Sequence, residues 1–366
     1  MINDSSRSAP DVLVIGTGLI GLACAVAAAE RGFRVQVVGQ PRTGEASLAA
    51  AGMLAPSIER SEGPGSEFGV SARDRYPRYV AWLRERSGID VPLNRDGIIQ
   101  VALSEAGVRG LRRAQPPDSR WLERAELTEL EPALGHALGG VFHEHDGAVD
   151  NVVLHEALRT VATSHPRITT TCDLIGEIEF SPFVAATGRT GTTYFAERAV
   201  LAAGAWSTTI AGLPRAIPVE PVRGQMLAYS ATPLRRVVYG PTGYVVPRTS
   251  GRTLIGATME RTGFESATTA EGVDRLRRCA AEILPDFAAL EPAEAWAGLR
   301  PISLDLQPIL GPDPAEERLI YATGHSRNGV LMTPLTADCI GALLAGDSLP
   351  ADISPFNIER FIERSE

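Results

Sequence analysis

Cysteine, histidine and aromatic residues are scarce in this sequence, and each scarcity narrows its possible functions. The 366 residues include 4 cysteines and 6 histidines, and aromatic residues contribute 6%. The cysteines stand far apart without a C-x-x-C pair, at Cys24, Cys172, Cys279 and Cys339. Zinc or iron–sulfur ligation by cysteine alone is therefore not expected. His143 and His145 share one face of a predicted strand but lack further ligands of suitable spacing, so we predict no metal site.

The sequence also predicts neither a membrane span nor a signal peptide, and it has no excess of positive charge. No uninterrupted apolar run reaches the length of a membrane-crossing helix, and residues 1–10 are polar. The formal net charge of -9 argues against a nucleic-acid partner, because phosphates require clustered positive side chains. We therefore expect a cytoplasmic protein, in which isolated cysteines stay reduced, with no membrane and no nucleic-acid partner.

Hydrophobic residues make up 44% of the sequence, which is enough for a sizeable core. A length of 366 residues favours two domains. Residues 11–40 predict a β-α-β unit, with an apolar strand, an alanine-rich helix over Leu19–Arg31 ended by Gly32, and a second strand over Val35–Val38. Parallel-type strands lie towards both ends of the chain and antiparallel-type strands between them. This distribution predicts two interleaved domains, one of α/β and one of α+β type.

Apolar periodicity and turn residues predict the remaining elements. The predicted helices are Ser71–Arg86, pieces of Gly110–Leu134, Leu154–Thr163, Gly272–Leu284 and Thr333–Ala345. The predicted strands are Asp96–Leu103, Gly140–His145, Ala199–Ala203, Gly224–Tyr229, Gly243–Pro247, Thr253–Ala257 and Ile320–Thr323.

A glycine motif between the first strand and helix predicts a dinucleotide-binding loop. Gly16, Gly18 and Gly21 form G-x-G-x-x-G. The first glycine permits a tight turn, the second lets the backbone approach a pyrophosphate, and the third lets helix and strand pack closely. The helix N-terminus offers free N–H groups to that pyrophosphate. The motif alone is weakly specific, but its place between a strand and a helix supports dinucleotide binding.

The end of the second strand lacks the carboxylate that usually holds the ribose hydroxyls. Gly39 stands there, followed by Gln40 and Arg42. Gln40 can accept a hydrogen bond, more weakly than a carboxylate, and Arg42 can meet a phosphate. We therefore predict weaker cofactor retention than a carboxylate would give.

Nine segments, in order and over nearly the whole chain, resemble the glycine oxidase branch of the D-amino-acid oxidase family of flavoproteins. They are GTGLIGLACAVAAAERG (Gly16–Gly32), GEASLAAAGMLAP (Gly44–Pro56), AVLAAGAWS (Ala199–Ser207), VRGQML (Val222–Leu227), GYVVPR (Gly243–Arg248), IGATME (Ile255–Glu260), WAGLRP (Trp296–Pro301), PILGP (Pro308–Pro312) and ATGHSRNGVLMTP (Ala322–Pro334). Each is modest alone, but their joint specificity is high.

The resemblance implies FAD as the cofactor, held without a covalent bond. Related sarcosine oxidases attach the flavin through a cysteine, and Pro301-Ile302-Ser303 occupies that stretch here. The resemblance further implies a Rossmann-like FAD-binding domain over residues 1–86, 147–219 and 297–366. An antiparallel-sheet substrate domain would comprise residues 87–146 and 220–296.

The residues implied to contact FAD belong to the glycine loop, the second strand end and the segments expected beside the flavin ring. They are Gly16, Gly18, Leu19, Ile20, Gly21, Gln40, Arg42, Ala46, Ser47, Ala51, Gly52, Met53, Ile175, Gly204, His325, Ser326, Arg327, Asn328, Gly329, Val330 and Leu331.

Three residues are implied to act on the substrate. Arg300 lies in an apolar segment, and a planar guanidinium there suits an amino-acid carboxylate better than a surface salt bridge. Tyr244 matches a family tyrosine whose hydroxyl meets that carboxylate, although an ordinary strand aromatic is an open alternative. Arg327 matches a family arginine near substrate and flavin, and a loop residue that holds the backbone fits equally well.

Departures from the family pattern leave the substrate open. Met53 and Met259 would form apolar walls, or simply fill the core. Ile302 stands where a glycine is frequent, and Ser326 where an aromatic is common. A changed pocket wall alters which substrate is accepted, with methylene-scale differences worth only about 10–200-fold.

The resemblance implies oxidative deamination of glycine, sarcosine, a small D-amino acid or a cyclic imino acid. Hydride would pass from Cα to flavin N5 and oxygen would yield hydrogen peroxide, and in the family the glycine imine can supply thiazole for thiamine. Two alternatives stay open: a dehydrogenase that reduces a quinone or partner subunit, and a flavin-binding subunit without catalysis. Family members often form homotetramers, so we expect a homo-oligomer.

Overall fold

The computed structural model describes residues 9–59 and 63–362, and within them it contains twenty strands and nine α-helices. The strands are β1 (Val12–Ile15), β2 (Val35–Val38), β3 (Met53–Leu54), β4 (Leu93–Asn94), β5 (Ile98–Ala102), β6 (Arg120–Glu123), β7 (Gly139–His143), β8 (Gly147–Val149), β9 (Ile168–Thr171), β10 (Ile175–Glu179), β11 (Val184–Gly188), β12 (Thr193–Ala196), β13 (Arg198–Leu201), β14 (Val219–Tyr229), β15 (Val237–Tyr239), β16 (Tyr244–Pro247), β17 (Thr253–Gly256), β18 (Glu294–Ser303), β19 (Ile309–Asp313) and β20 (Glu316–Thr323).

The helices connect these strands and cover the sheets. They are α1 (Leu19–Glu30), α2 (Ala46–Ala49), α3 (Pro56–Glu59), α4 (Pro64–Ser87), α5 (Glu105–Arg113), α6 (Arg124–Leu130), α7 (Asn151–Ser164), α8 (Ala270–Ile283) and α9 (Gly329–Ala345). No helix in the described part of the chain is both long and apolar enough to cross a membrane.

A six-stranded sheet in the order β19-β20-β13-β1-β2-β9 forms the centre of the first layer system. All pairs except β19–β20 are parallel. Val12 and Val14 pack with helices α1, α7 and α9 on one face, while Leu13 and Ile15 pack with the three-stranded sheet β10-β11-β12 on the other. Burial on both faces explains why β1 is apolar at every position.

An eight-stranded, mostly antiparallel sheet forms the second layer system, in the order β18-β14-β17-β16-β15-β5-β7-β6. Helices α6 and α8 cover one of its faces. On the other face Met226, Tyr244 and Leu254 pack against Ala51 and Ala55, which follow α2. This second apolar cluster joins the sheet to the segment expected beside the flavin.

The structure confirms the predicted fold class and the β-α-β unit, and it changes several local predictions. Gly32, with φ 95°, ends α1 as expected. The stretch Gly110–Leu134, predicted as helical pieces, contains strand β6 between α5 and α6. His145 lies beyond β7, which ends at His143. β18 crosses the predicted domain boundary at residue 297, and the boundaries themselves stay a prediction.

Candidate active site

A cavity of about 480 Å³ lies where the carboxyl ends of β1 and β13 meet the apolar face of the eight-stranded sheet. This is the edge at which α/β sheets bind their ligands. Most residues predicted to contact FAD line it: Gly16, Gly18, Leu19, Ile20, Gln40, Arg42, Ala46, Ser47, Ala51, Gly52, Met53, Ile175, Gly204, His325, Ser326, Arg327, Asn328, Gly329 and Val330. Gly21 and Leu331 do not line it, and both are buried.

The glycine loop leaves no room for side chains. A Cβ at Gly16, where φ is 121°, would lie 2.4 Å from the carbonyl oxygen of Ala202, and one at Gly18 would lie 2.9 Å from Oγ of Ser47. A Cβ at Gly21 would lie 2.1 Å from the Gly16 oxygen, so this glycine permits the close contact of helix and loop. Ser47 Oγ accepts a hydrogen bond from Leu19 N at 3.0 Å. The α1 N-terminus therefore faces the cavity across bare backbone, which suits a pyrophosphate.

The absence of a side chain at Gly39 has a steric cause in this chain. A Cβ there would lie 2.7 Å from Cγ2, 2.8 Å from Oγ1 and 2.9 Å from the backbone nitrogen of Thr17. Thr17 thus fills the space that a carboxylate-bearing side chain would enter. Gln40 and Arg42, the predicted substitutes, both line the cavity.

Arg42 and Asp173 bring opposite charges to this end of the cavity. The Arg42 guanidinium lies 5.0 Å from the ring centroid of Trp206, and burial, followed by repulsion from Arg189, lowers its pKa. Asp173 accepts hydrogen bonds from Leu174 N at 2.7 Å and Tyr194 Oη at 3.0 Å. Sequence reasoning missed both Asp173 and Trp206, although Trp206 lies in a segment that carries the family resemblance.

The segments expected beside the flavin ring also meet at the cavity. Gly52 has φ 68°, and a Cβ there would lie 2.0 Å from the Val149 oxygen. His325 is 2% exposed, and its Nε2 lies 3.1 Å from Oγ1 of Thr336. Burial lowers the pKa of His325 to about 3, so its imidazole is neutral at physiological pH. His325 therefore serves as a neutral, fixed part of the wall.

Arg300 lies on β18 with its side chain at the cavity. Within residues 9–59 and 63–362, no carboxylate lies within ion-pair distance of it, and its guanidinium makes one hydrogen bond, from Nη1 to the Thr258 oxygen at 3.1 Å. The next residue towards the N-terminus, Leu299, donates its N–H to the Gly44 oxygen at 2.8 Å, so β18 also touches the segment before α2. A guanidinium with open donors at an apolar cavity is suited to a carboxylate ligand.

Tyr244 and Arg327 reach the same cavity from different elements. Tyr244, on β16, is 8% exposed, and its ring centroid lies 5.6 Å from that of Tyr239. Arg327 Nη2 donates to Tyr239 Oη at 2.9 Å. Tyr239, which sequence reasoning missed, thus links the loop after β20 to the eight-stranded sheet.

The predicted pocket residues differ in their placement. Met259 lines the cavity and is 55% exposed, as expected for a wall at an opening. Ile302 does not line the cavity, because it is buried where β18 forms an isolated bridge with His325. Its influence on the site would therefore act through that contact.

Comparisons with known proteins agree with this geometry. The family model described as FAD dependent oxidoreductase, DAO, matches residues 11–343. The chain belongs to the DAO family of FAD-dependent oxidoreductases. A glycine oxidase from Geobacillus kaustophilus is 33% identical over 368 residues, which is 96% of this chain and 97% of that protein. The crystal structure of glycine oxidase from that organism matches with a TM-score of 0.89 and 32% identity, over 96% of this chain and 99% of that one.

A relative with a further part extends the comparison. The bifunctional protein ThiO/ThiG of Synechocystis sp. is 34% identical over 370 residues, covering 97% of this chain and 55% of that protein. This chain therefore spans about half the length of that bifunctional relative.

The residues at the cavity fit the FAD of this family. The glycine loop gives room for a pyrophosphate, and the α1 N-terminus supplies its N–H groups. Among the described residues that line the cavity, none is a cysteine and one is a histidine, His325, which is hydrogen-bonded to Thr336. This composition supports the prediction of non-covalent binding.

Proposed function

We propose that this protein oxidises the amine of a small amino acid, with glycine as the first candidate and sarcosine or a small D-amino acid as related ones. The observation that carries the proposal is the Arg300 guanidinium at the cavity, without a carboxylate partner among the described residues. The family match and the glycine oxidases among the relatives support it.

Arg300 would bind the substrate carboxylate through two parallel N–H donors, the geometry that a guanidinium favours. Tyr244, on the same face of that sheet, would donate its hydroxyl to the same carboxylate. Met53 and Met259 would limit the access of water, which strengthens these polar contacts. Arg327 would act near the opening, through its bond to Tyr239.

No described side chain at the cavity is available as a strong base for the substrate amine. Of the two lining carboxylates, Glu45 accepts from Arg42 N at 2.6 Å and Asp173 is hydrogen-bonded to its neighbours. His325 is buried and bonded to Thr336, and the sequence contains no lysine. The substrate amine would therefore lose its proton to water before oxidation, and the chain would contribute position and dryness.

FAD, held by the glycine loop and the segments around Gly52 and His325, would supply the acceptor for the Cα hydride, so that the substrate amine would become an imine. Oxygen would then take the two electrons and yield hydrogen peroxide. The imine would be hydrolysed or, for glycine, passed to thiazole synthesis for thiamine. We also propose that the protein lies in the reducing cytoplasm and forms a homo-oligomer. The four free cysteines support the cytoplasmic location.

The test compares wild-type holoenzyme with Arg300→Met and Arg300→Lys. Anaerobic glycine, sarcosine and D-proline are added separately, and bleaching of the flavin absorbance is followed before and after air is admitted. Loss of two charge-assisted hydrogen bonds, about 3–4 kcal/mol, should lower kcat/KM roughly 10²–10³-fold in Arg300→Met. Arg300→Lys should recover part of this loss, because it keeps the charge without the paired donors.

The outcomes separate the alternatives. Bleaching that reverses in air identifies an oxidase, whereas bleaching that persists in air favours a dehydrogenase that uses another electron acceptor. A flavin that none of the amines reduces would contradict the proposal. Equal kcat/KM in wild type and Arg300→Met would remove Arg300 from the mechanism.

A further inference from the structure

Gly224, on β14, lies directly against the guanidinium of Arg300. In the β14–β18 pairing, Val222 is opposite Arg300 and Gly224 is opposite Gly298, so Arg300 and Gly224 are diagonal neighbours. Such neighbours are within reach of a long side chain. A Cβ built on Gly224 would lie 1.9 Å from Nη1 and 2.4 Å from both Cζ and Nη2 of Arg300. A side chain at residue 224 and the observed guanidinium cannot occupy the same space.

A second contact defines the position that Gly224 leaves open. Arg300 Nη1 donates to the Thr258 oxygen at 3.1 Å. Thr258 is 2% exposed, and its Oγ1 accepts from Gln225 N at 2.9 Å, so this acceptor is held by the residue that follows Gly224. The guanidinium therefore rests between bare backbone on β14 and a fixed carbonyl. Both Gly224 and Thr258 line the cavity.

We propose that Gly224 is a positioning residue, which lets the Arg300 guanidinium lie low against β14 where it can hold the substrate carboxylate. The inference rests on the proposed function, in which Arg300 binds that carboxylate. Moving Nη1 from 1.9 Å to an ordinary contact with a new methyl group requires a displacement of about 1.5 Å. Misplacement of a binding group by about 1 Å can cost on the order of 100-fold.

The atoms that a Cβ at 224 would meet lie at the end of a flexible side chain, not in the backbone. The fold can accept the substitution by moving the guanidinium, so the expected loss falls on ligand binding. Gly176, on β10, provides a matched control, because a Cβ there would meet nothing closer than the Thr187 oxygen at 3.9 Å. Gly176→Ala adds the same methyl group to a strand without touching Arg300.

The experiment uses the FAD-loaded forms of wild type, Gly224→Ala, Arg300→Met, the double variant and Gly176→Ala. Acetate, a carboxylate without an amine, is titrated while the flavin spectrum is recorded, and glycine turnover gives kcat and KM separately. Gly224→Ala should raise the acetate Kd and the glycine KM by roughly 30–100-fold. Its kcat, its FAD affinity and its thermal midpoint should stay close to those of Gly176→Ala. The double variant should bind acetate no more weakly than Arg300→Met alone.

The remaining outcomes separate the positioning role of Gly224 from the assignment of Arg300. If Arg300→Met weakens acetate binding but Gly224→Ala does not, the positioning role fails and the proposed function stands. If neither variant changes acetate binding, the assignment of Arg300 fails and this inference fails with it, whereas the proposed function fails only if the wild type does not turn over glycine or a related amine. Additive losses in the double variant would mean that Gly224 acts independently of Arg300. If Gly224→Ala alone loses FAD, recovery of FAD in the double variant supports the overlap with the guanidinium, and equal loss refutes it.

Discussion

Acidification should destabilise this protein through His325. The imidazole is 2% exposed, and within the described residues no carboxylate lies within ion-pair distance of it. Burial lowers its pKa from 6.5 to about 3 in the folded state. Because the unfolded chain binds this proton more readily, the stabilising contribution is complete above about pH 6.5 and decreases as pH falls towards 3.

The magnitude follows from the two pKa values. Between them, each pH unit changes the free energy of unfolding by about 1.4 kcal/mol per group. From about pH 7 to about pH 5, His325 alone should therefore lower the stability of the folded state by about 2 kcal/mol. Other groups titrate in the same range, so the prediction concerns the difference between wild type and a variant that lacks this imidazole.

The assay is urea unfolding of holoenzyme at several pH values for wild type, His325→Gln and His136→Gln. His325→Gln should lose stability at neutral pH, because it disturbs packing and the contact with Thr336. At pH 5 the difference in free energy of unfolding between His325→Gln and the wild type should be about 2 kcal/mol smaller. The reason is that protonation of His325 in the unfolded state destabilises only the wild type. The exposed His136 provides the control for the loss of a histidine outside the cavity. A deficit for His325→Gln that is constant with pH would refute the reasoning.

Two further substitutions test the cofactor end of the cavity and the core. Gly39→Glu should weaken FAD binding about 10-fold in flavin-fluorescence titrations, although it adds a carboxylate, because its Cβ would meet Thr17. The double variant Gly39→Glu/Thr17→Gly should recover part of that loss. A gain in affinity from the single variant would contradict the steric argument. Asp313→Ala should lower the free energy of unfolding by about 3–5 kcal/mol in urea, since it leaves Arg215 without its paired acceptors at 2.6 and 3.0 Å. Glu294→Gln, in an exposed pair, should change it by less than about 1 kcal/mol.

The β-α-β unit was predictable because its sequence signals are local. β1 is apolar throughout, α1 is alanine-rich, and Gly32 follows the helix end, so each boundary depends on residues within the segment itself. The helix α4 was predicted from Ser71, yet it begins at Pro64, since Gly65 and Gly69 weaken the helical pattern of its first turns. The sheet β10-β11-β12 was not predicted, because glycine, alanine and glutamate occupy many positions of β10 and β11 and leave few β-branched or aromatic residues in these two strands.

The candidate site depends on contacts that no local pattern contains. Arg300 was predicted from its apolar neighbours and the family resemblance, but its contact with Gly224 follows from the register of β14 against β18. The clash that a side chain at residue 39 would make with Thr17 likewise depends on how the glycine loop packs over the end of β2. Residues distant in sequence define both features, so the three-dimensional structure was needed to find them.

Strand β18 contacts the segment around α2 and carries Arg300, the residue proposed to bind the substrate carboxylate. One of its residues, Leu299, is hydrogen-bonded to Gly44, just before the segment expected beside the flavin, and Trp296 donates its indole N–H to the Ala49 oxygen at 3.0 Å. The adjacent Arg300 is the residue proposed to hold the substrate carboxylate. A shift of this strand on binding of one ligand would therefore reach the other site over one peptide bond. Thermodynamic reciprocity then requires that, by whatever factor a bound carboxylate improves retention of FAD, bound FAD improves affinity for the carboxylate.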